Sequence, residues 1–133
     1  MARIDFWKNR EKELIDPALF SSKAENLALD LKKDNDQNKS TNKRTQIRKF
    51  YDEVVRLDME AKSREGEWHN IIPLVHMITA KAAYARGRNL VSDGFLEFIK
   101  DSIGQVNNPK DLSVFANFFE AFMGFYRLYG PKN

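Results

Sequence analysis

The sequence feature that most constrains the fold is a helical repeat of apolar residues that begins after Thr41. The apolar positions recur at alternating spacings of three and four residues: Ile47, Phe50, Val54, Leu57 and Ala61. That spacing puts them on one face of an α-helix, whereas strand side chains alternate with period two. The pattern therefore predicts a long amphipathic helix near residues 42–64, with Gly66 as its stop signal.

The segments that follow carry further helix signals. Pro73 fits only the first turn of a helix, so we expect Asn70 or a neighbour to cap this helix and Gly87 to end it. Ser92 or Asp93 is suited to cap the next helix, because short polar side chains accept hydrogen bonds from the first free backbone amides.

The last helix begins at Asn108-Pro109 and is rich in aromatic residues. Its apolar residues are Leu112, Phe115, Phe118, Phe119, Phe122, Met123, Phe125, Tyr126 and Tyr129. The apolar arc is wide, so we expect this helix to be central and largely buried. Glu120 interrupts the arc, and we expect its carboxylate to be buried and paired with a basic residue from another helix.

The N-terminal third has weaker patterns. Ser22 and Glu25 form a capping-box sequence before a helix that reaches Leu31, and a further short helix is expected near residues 4–14. Residues 34–42, "DNDQNKSTN", read as a polar linker, the segment most prone to disorder. No alternating strand pattern is present. We predict an all-α fold: a single-domain helical bundle of about five helices spanning residues 1–133.

Composition excludes several classes of protein. The 133-residue chain has no cysteine, which excludes disulfides and thiolate chemistry and fits a reducing cytoplasm. The N-terminal "MARIDFWKNREKELID" has no apolar core of a signal peptide, and no segment approaches the roughly 18 apolar residues that a membrane span needs. We therefore predict a cytoplasmic protein that does not enter a membrane.

Motifs of catalysis are also missing from the sequence. His69 and His76 are seven residues apart and have no cysteine partners, which is a weak basis for a metal site. No glycine-rich phosphate loop and no nucleophile motif occurs. We predict a protein that is not an enzyme and that uses neither a metal nor another cofactor.

Positive charge is concentrated in the middle of the chain. The net charge is +3, but residues 39–64 alone carry eight basic and four acidic side chains. Arg44 and Arg48 are one helical turn apart and follow Lys43. Cations at a helix start oppose the helix dipole, so an anion outside the chain would explain them.

A second basic cluster lies in "KAAYARGR", where Lys81, Arg86 and Arg88 surround Tyr84. If the two helices are antiparallel, the start of the first and the end of the second meet at one end of the bundle. The combined cluster would be Lys43, Arg44, Arg48, Lys81, Arg86 and Arg88. Such a patch suits a phosphate backbone, but solvated helix faces with snorkelling side chains would give the same pattern. For Tyr84 itself, the sequence favours a packing residue whose ring lies against the protein and whose hydroxyl lies at the edge of the core.

Three stretches, in order, resemble the signature blocks of one family: "TQIRKFYDEVVRL", "AKAAYARGR" and "FANFFEAFMGFYRLYG". That family is the small subunit of type III-A CRISPR effector complexes, the Csm complexes. The resemblance implies a non-catalytic helical subunit for antiviral defence, whose copies line the groove where target RNA pairs with guide RNA. It implies four partners: the guide and target RNA backbone, the backbone subunit, the large polymerase-like subunit, and further copies of the chain, with a homodimer in isolation.

The resemblance also implies which residues contact RNA. By position in the blocks these are Arg48, Lys81, Arg86 and Arg88, whereas Lys43 and Arg44 are candidates from charge alone. The family commonly has small hydroxyl residues where this chain has Lys43-Arg44-Thr45, which puts the exact start of the helix in doubt and increases the basic charge there.

Two other functions compete with this one. The chain could be a self-associating helical adaptor that pairs through its aromatic C-terminal helix and makes no contact with nucleic acid. A small helical DNA-binding regulator is a third reading, but the sequence lacks a short helix–turn–helix spacing with base-reading polar residues on a second helix.

Overall fold

Five α-helices follow a short β-hairpin in the computed structural model, which describes residues 3–133. The hairpin pairs β1 (Trp7–Asn9) with β2 (Leu14–Ile15). The helices are α1 (Ala24–Gln37), α2 (Arg44–Ser63), α3 (Trp68–Gly87), α4 (Asp93–Ile103) and α5 (Pro109–Tyr129). The prediction of an all-α helical bundle is confirmed. Residues 1 and 2, which the predicted domain includes, lie outside the described residues.

The last two helices begin where they were predicted, and Ser92 rather than Asp93 is the cap of α4. Ser92 precedes α4, and its hydroxyl accepts a hydrogen bond from the Phe95 amide at 3.4 Å. Asn108 precedes α5, and its side-chain oxygen accepts from the Asp111 amide at 2.9 Å. Pro109 follows at the first helical position, where its missing N–H leaves no hydrogen bond unmade.

The core is built around the aromatic face of α5, as predicted. The ring of Phe98 on α4 lies among four rings of α5, at centroid distances of 5.2 to 6.0 Å. Those four residues are Phe115, Phe118, Phe119 and Phe122. All four are fully buried, and α1 and α2 pack against the same helix.

The start of α3 differs from the prediction, whereas the helix ends at Gly87 as predicted. The helix begins at Trp68, so Pro73 lies inside it rather than in its first turn. The Asn70 amide donates to the Glu67 carbonyl at 2.9 Å, which starts the helix before the expected cap. Because proline has no N–H, the α3 backbone lacks one helical hydrogen bond at this point.

The C-terminal turn of α3 is made by Asn89, not by Gly87. Gly87 is the last helical residue, and Asn89 adopts the left-handed conformation with φ 64°. The Leu90 amide donates to the Ala85 carbonyl at 2.9 Å, and the Asn89 amide donates to the Arg86 carbonyl at 3.0 Å. These two bonds are the Schellman pattern, in which asparagine can replace glycine.

The short helix expected near residues 4–14 is wrong, because this segment forms the hairpin. Its strands have only three and two residues, too few to show an alternating pattern in the sequence. Tertiary contacts hold it: Phe6 is fully buried, and its amide donates to the side chain of Gln105 at 2.9 Å. The Arg10 guanidinium also pairs with Asp111, which is buried at the start of α5.

Two predictions for the segment around α1 are also wrong. Ser22 does not cap the helix, because it lies within a five-residue π-helical turn, Leu19–Lys23, that runs directly into α1. The polar segment 34–42 is not a free linker, because its first four residues are helical. Asn35, Thr41 and Asn42 are buried, and the Asn35 amide group donates to the Thr41 carbonyl at 2.8 Å. Within residues 3–133, no helix has the length and apolar character needed to cross a bilayer.

Candidate functional site

A buried polar network fixes the start of α2 beside the end of α3. Asn42 has φ 58° and is fully buried. Its amide donates to the Leu90 carbonyl at 3.0 Å, its side-chain oxygen accepts from the Ser92 amide at 2.9 Å, and its side-chain nitrogen donates to the Ser92 hydroxyl at 2.8 Å. The segment before α2 is therefore tied to the segment after α3, as expected for antiparallel neighbours.

The same network reaches α1 and α5. The Tyr126 hydroxyl donates to the Asn42 carbonyl at 2.6 Å, and burial of this phenol raises the pKa of Tyr126. The Ser92 hydroxyl donates to the Asp34 carboxylate at 2.6 Å. Three helices and the α3–α4 connection thus meet at Asn42, which makes the geometry of this end of the bundle rigid.

A groove of about 520 Å³ runs between α2 and α3, and we call it the α2–α3 groove. Its apolar inner surface comprises Phe50, Ile78, Ala85 and Leu90. Its polar and charged rim comprises Gln46, Lys49, Asp52, Glu53, Arg56, Lys81, Tyr84 and Arg88. Four of the rim residues are cationic and two are acidic, so the groove has a net formal charge of +2.

Internal ion pairs neutralise part of that charge. Glu53 accepts hydrogen bonds from Arg56 and from Lys81, each at 2.8 Å, and these bonds hold the pKa of Glu53 below its ordinary value. Asp52 lies 3.9 Å from Arg48. Lys49 has no ion-pair partner among residues 3–133, and it is exposed at the rim. The uncompensated charge in the groove therefore lies on Lys49 and Arg88.

Tyr84 is not a packing residue, and that interpretation is wrong. Its side chain is 67% exposed, because Ala82 and Ala85 occupy the inward positions of this part of α3. The Arg88 guanidinium lies over its ring, 5.7 Å from the centroid. This cation–π contact orients an aromatic ring that otherwise faces solvent.

A second groove, of about 280 Å³, lies on the other side of α2, and we call it the α2–α5 groove. It is lined by Arg44, Thr45, Arg48, Tyr51, Glu120, Met123, Gly124 and Arg127. Glu120 is exposed here, so the prediction of a buried carboxylate is wrong. Burial and the nearby charge of Glu120 together raise the pKa of Tyr51. Arg44 is partly engaged, since it donates to the Lys132 carbonyl at 2.7 Å.

Arg86 lies apart from both grooves. Its guanidinium pairs with Asp93, and both side chains line a smaller cavity of about 260 Å³ that also contains Asp34. The surroundings of Arg86 are thus more acidic than basic. The pairing joins the end of α3 to the start of α4.

The structure divides the six predicted residues rather than merging them into one patch. Lys81 and Arg88 lie in the α2–α3 groove, whereas Arg44 and Arg48 lie in the α2–α5 groove. Lys43 is exposed at the cap position before α2. The cations therefore lie on both sides of α2, and positive charge surrounds the first turns of this helix.

Sequence reasoning missed three further cations in these grooves: Lys49, Arg56 and Arg127. Helical spacing could have found the first two, since Gln46, Lys49, Glu53 and Arg56 follow one another at three and four residues. Arg127 has no such signal, because its place beside Arg48 depends on how α5 packs against α2.

The structure also bears on the competing functions. No group of three or more histidine, cysteine, aspartate or glutamate side chains is arranged to hold a metal ion within residues 3–133. The aromatic residues of α5 that an adaptor would use for pairing are buried, including Phe115, Phe118, Phe119, Phe122 and Tyr126. Large apolar side chains are exposed instead at Leu74 and Met77 of α3.

Comparison with known proteins identifies the family. The search of curated proteins and the search of solved structures each find no match. The family model described as Csm2 Type III-A matches residues 16–132, which include both grooves and all six predicted residues. The chain therefore belongs to the Csm2 family, the small subunit of type III-A CRISPR effector complexes.

Proposed function

We propose that this chain is a non-catalytic subunit that lines the RNA groove of a type III-A effector complex and contacts the RNA backbone through both sides of α2. The observation that supports this most directly is the α2–α3 groove, where Lys49, Lys81 and Arg88 surround an exposed tyrosine ring.

The chemistry of these cations matches phosphate. Arginine forms paired hydrogen bonds with phosphate oxygens, and lysine supplies a compact positive charge. Among the described residues of the α2–α3 groove, Arg88 and Lys49 are the cations without an ion-pair partner. In the α2–α5 groove, the one carboxylate among residues 3–133 that competes with phosphate for Arg48 is Asp52, at 3.9 Å. We expect backbone contact rather than reading of base sequence, because base pairing with the guide supplies specificity in such complexes.

The other predicted contacts contribute in different degrees. Lys43 and Arg44 extend the basic surface along the start of α2, and Lys81 adds charge once RNA competes with Glu53. Contact between Arg86 and RNA stays a prediction. We expect it to contribute least to RNA binding, because the Arg86 guanidinium is already paired with Asp93.

A non-catalytic role is supported by the state of the carboxylates. A general acid needs a raised pKa, usually produced by burial. The pKa of Glu53 is lowered instead, by hydrogen bonds from Arg56 and Lys81. Glu53 is therefore suited to organise cations and not to donate a proton.

We place the chain in the cytoplasm with four partners: the guide and target RNA backbone, the backbone subunit, the large polymerase-like subunit and further copies of itself. Leu74 and Met77 give α3 an exposed apolar surface that suits contact with a neighbouring subunit.

Reconstitution of the complex tests the proposal. The chain is expressed with the other type III-A subunits and guide RNA from the same source, with the tag on the backbone subunit, and is expected to co-purify in more than one copy. Target RNA affinity is then measured for complexes that carry Lys49→Glu with Arg88→Glu. Loss of two phosphate contacts in each copy should weaken binding and lower the slope of log affinity against log salt by about 1.4 for each copy that contacts the target RNA.

Lys33→Glu is the matched control, because Lys33 is exposed on α1 and borders neither groove. If the double reversal assembles normally but binds target RNA with the affinity and salt dependence of the Lys33 variant, the backbone contact is refuted. If the wild-type chain stays out of an otherwise assembled complex, its role as a subunit of that complex is refuted.

A further inference from the structure

The α2–α3 groove is built for more than a phosphate. Contact with a phosphate backbone needs charge alone, yet the inner surface of this groove is apolar, with Phe50, Ile78 and Ala85 at its base. Its volume of about 520 Å³ lies within the range of about 300–1,000 Å³ that is usual for small-molecule sites. A planar apolar ring with an attached anion matches both parts of the surface.

We propose that the α2–α3 groove holds one unpaired nucleobase of an RNA strand, stacked on Tyr84, while Lys49 and Arg88 bind the phosphates on either side of it. This inference rests on the proposed function, and it adds a base-binding site to a surface otherwise assigned only to backbone contact. The charge of the rim favours the anionic strand over an apolar peptide segment, since its net formal charge is +2.

Tyr84 carries the proposal. The residue is 67% exposed, so packing within the chain does not require an aromatic ring at this position. The Arg88 guanidinium lies over the ring, 5.7 Å from its centroid, and both side chains line the groove, so an exposed ring and a cation lie side by side there. A base stacked on an exposed aromatic ring beside a cation that binds its phosphate is an arrangement common in proteins that bind single strands.

The lining also predicts little discrimination among bases. The Glu53 carboxylate is engaged by Arg56 and Lys81, so it is poorly placed to accept a hydrogen bond from a base edge. Gln46 is the one side-chain amide among the described residues that line the groove. Stacking is the dominant contact, and stacking tolerates all four bases.

The test compares a short single-stranded RNA with its fully abasic counterpart, which keeps every phosphate. Binding of each to the full-length chain is followed by NMR titration up to millimolar concentration, where weak complexes are visible. The variants are Tyr84→Ala and Tyr84→Phe, with Leu128→Ala as the control, because Leu128 is 72% exposed and lies outside both grooves.

The expected result is a coupling between the ring and the base. Tyr84→Ala should weaken binding of the base-bearing RNA roughly 5- to 100-fold, while Tyr84→Phe and Leu128→Ala should change it little. For the abasic RNA the wild type and Tyr84→Ala should agree within about twofold, since no base is present to stack. Resonances of Phe50, Ile78 and Ala85 should shift only with the base-bearing RNA.

Four outcomes would overturn the base site. If the wild type binds both RNAs with equal affinity, the phosphate backbone is the only contact. The same conclusion follows if Tyr84→Ala and the wild type bind the base-bearing RNA equally well. The absence of any shift in the groove at millimolar RNA would lead to the same conclusion. Loss of subunit assembly in Tyr84→Ala with unchanged RNA binding would show that the groove receives a protein side chain. The proposed function is judged separately, by the charge-reversal variants in the assembled complex, so it can survive each of these results.

Discussion

Replacement of Asn42 tests how the structure holds α2 beside α3. The side chain of Asn42 makes three hydrogen bonds: to the Leu31 carbonyl at 3.3 Å, to the Ser92 hydroxyl at 2.8 Å and from the Ser92 amide at 2.9 Å. Asn42→Gly removes all three but keeps a residue that accepts φ 58°. At a net contribution of about 1 kcal/mol for each bond, this variant should lower the free energy of unfolding by about 2–4 kcal/mol.

Asn42→Ala removes the same bonds and, unlike the glycine variant, keeps a Cβ atom in the left-handed conformation. A residue with a Cβ atom in the left-handed region costs about 1–2 kcal/mol. Asn42→Ala should therefore be less stable than Asn42→Gly by about that amount. Urea unfolding followed by far-UV circular dichroism measures both differences.

Asn89 supplies the matched control. It also has a left-handed backbone, with φ 64°, but it is exposed, and its side chain makes no hydrogen bond within residues 3–133. Asn89→Gly should leave stability nearly unchanged, and Asn89→Ala should show the strain alone. If Asn42→Gly proves as stable as Asn89→Gly, the hydrogen bonds of Asn42 do not stabilise this end of the bundle, and the reasoning is refuted.

Four further predictions concern the α2–α3 groove, the core and the proline in α3. Glu53→Gln should strengthen RNA binding and steepen its salt dependence by about 0.7 in slope for each copy of the chain, because Lys81 loses its carboxylate partner whereas Arg56 keeps Glu60; unchanged binding would contradict this. The folded-state pKa of Glu53 lies below its ordinary value of 4.5. The free energy of unfolding that this cluster contributes is therefore present above about pH 4.5 and is lost as the pH falls through the folded-state pKa. Urea unfolding of Glu53→Gln over the same pH range should not show that loss. Phe98→Ala should lower the free energy of unfolding by about 3–5 kcal/mol, because it leaves a cavity among the α5 rings, and a loss under 1 kcal/mol would argue against that packing. Pro73→Ala should raise the free energy of unfolding by about 1–3 kcal/mol, because it restores a helical hydrogen bond at an exposed site; a less stable variant would contradict this.

The sequence alone determined the helices and the family resemblance. Apolar spacing predicted α2 and the buried face of α5, because the phase of a helix is a local property of its own residues. The starts of α4 and α5 were predicted, with Ser92 or Asp93 as the α4 cap, for the same reason: a cap bonds to amides within three residues of itself.

Only the tertiary structure decided where the cations lie and what surrounds them. Charge counting predicted one patch, but packing of α3 on one side of α2 and α5 on the other divides it into two grooves. The hairpin depends on Gln105 and Asp111, which lie about 100 positions further along the chain. Tyr84 and Glu120 proved exposed for a related reason: a helical pattern shows which residues share a face, but not which neighbouring helix covers that face.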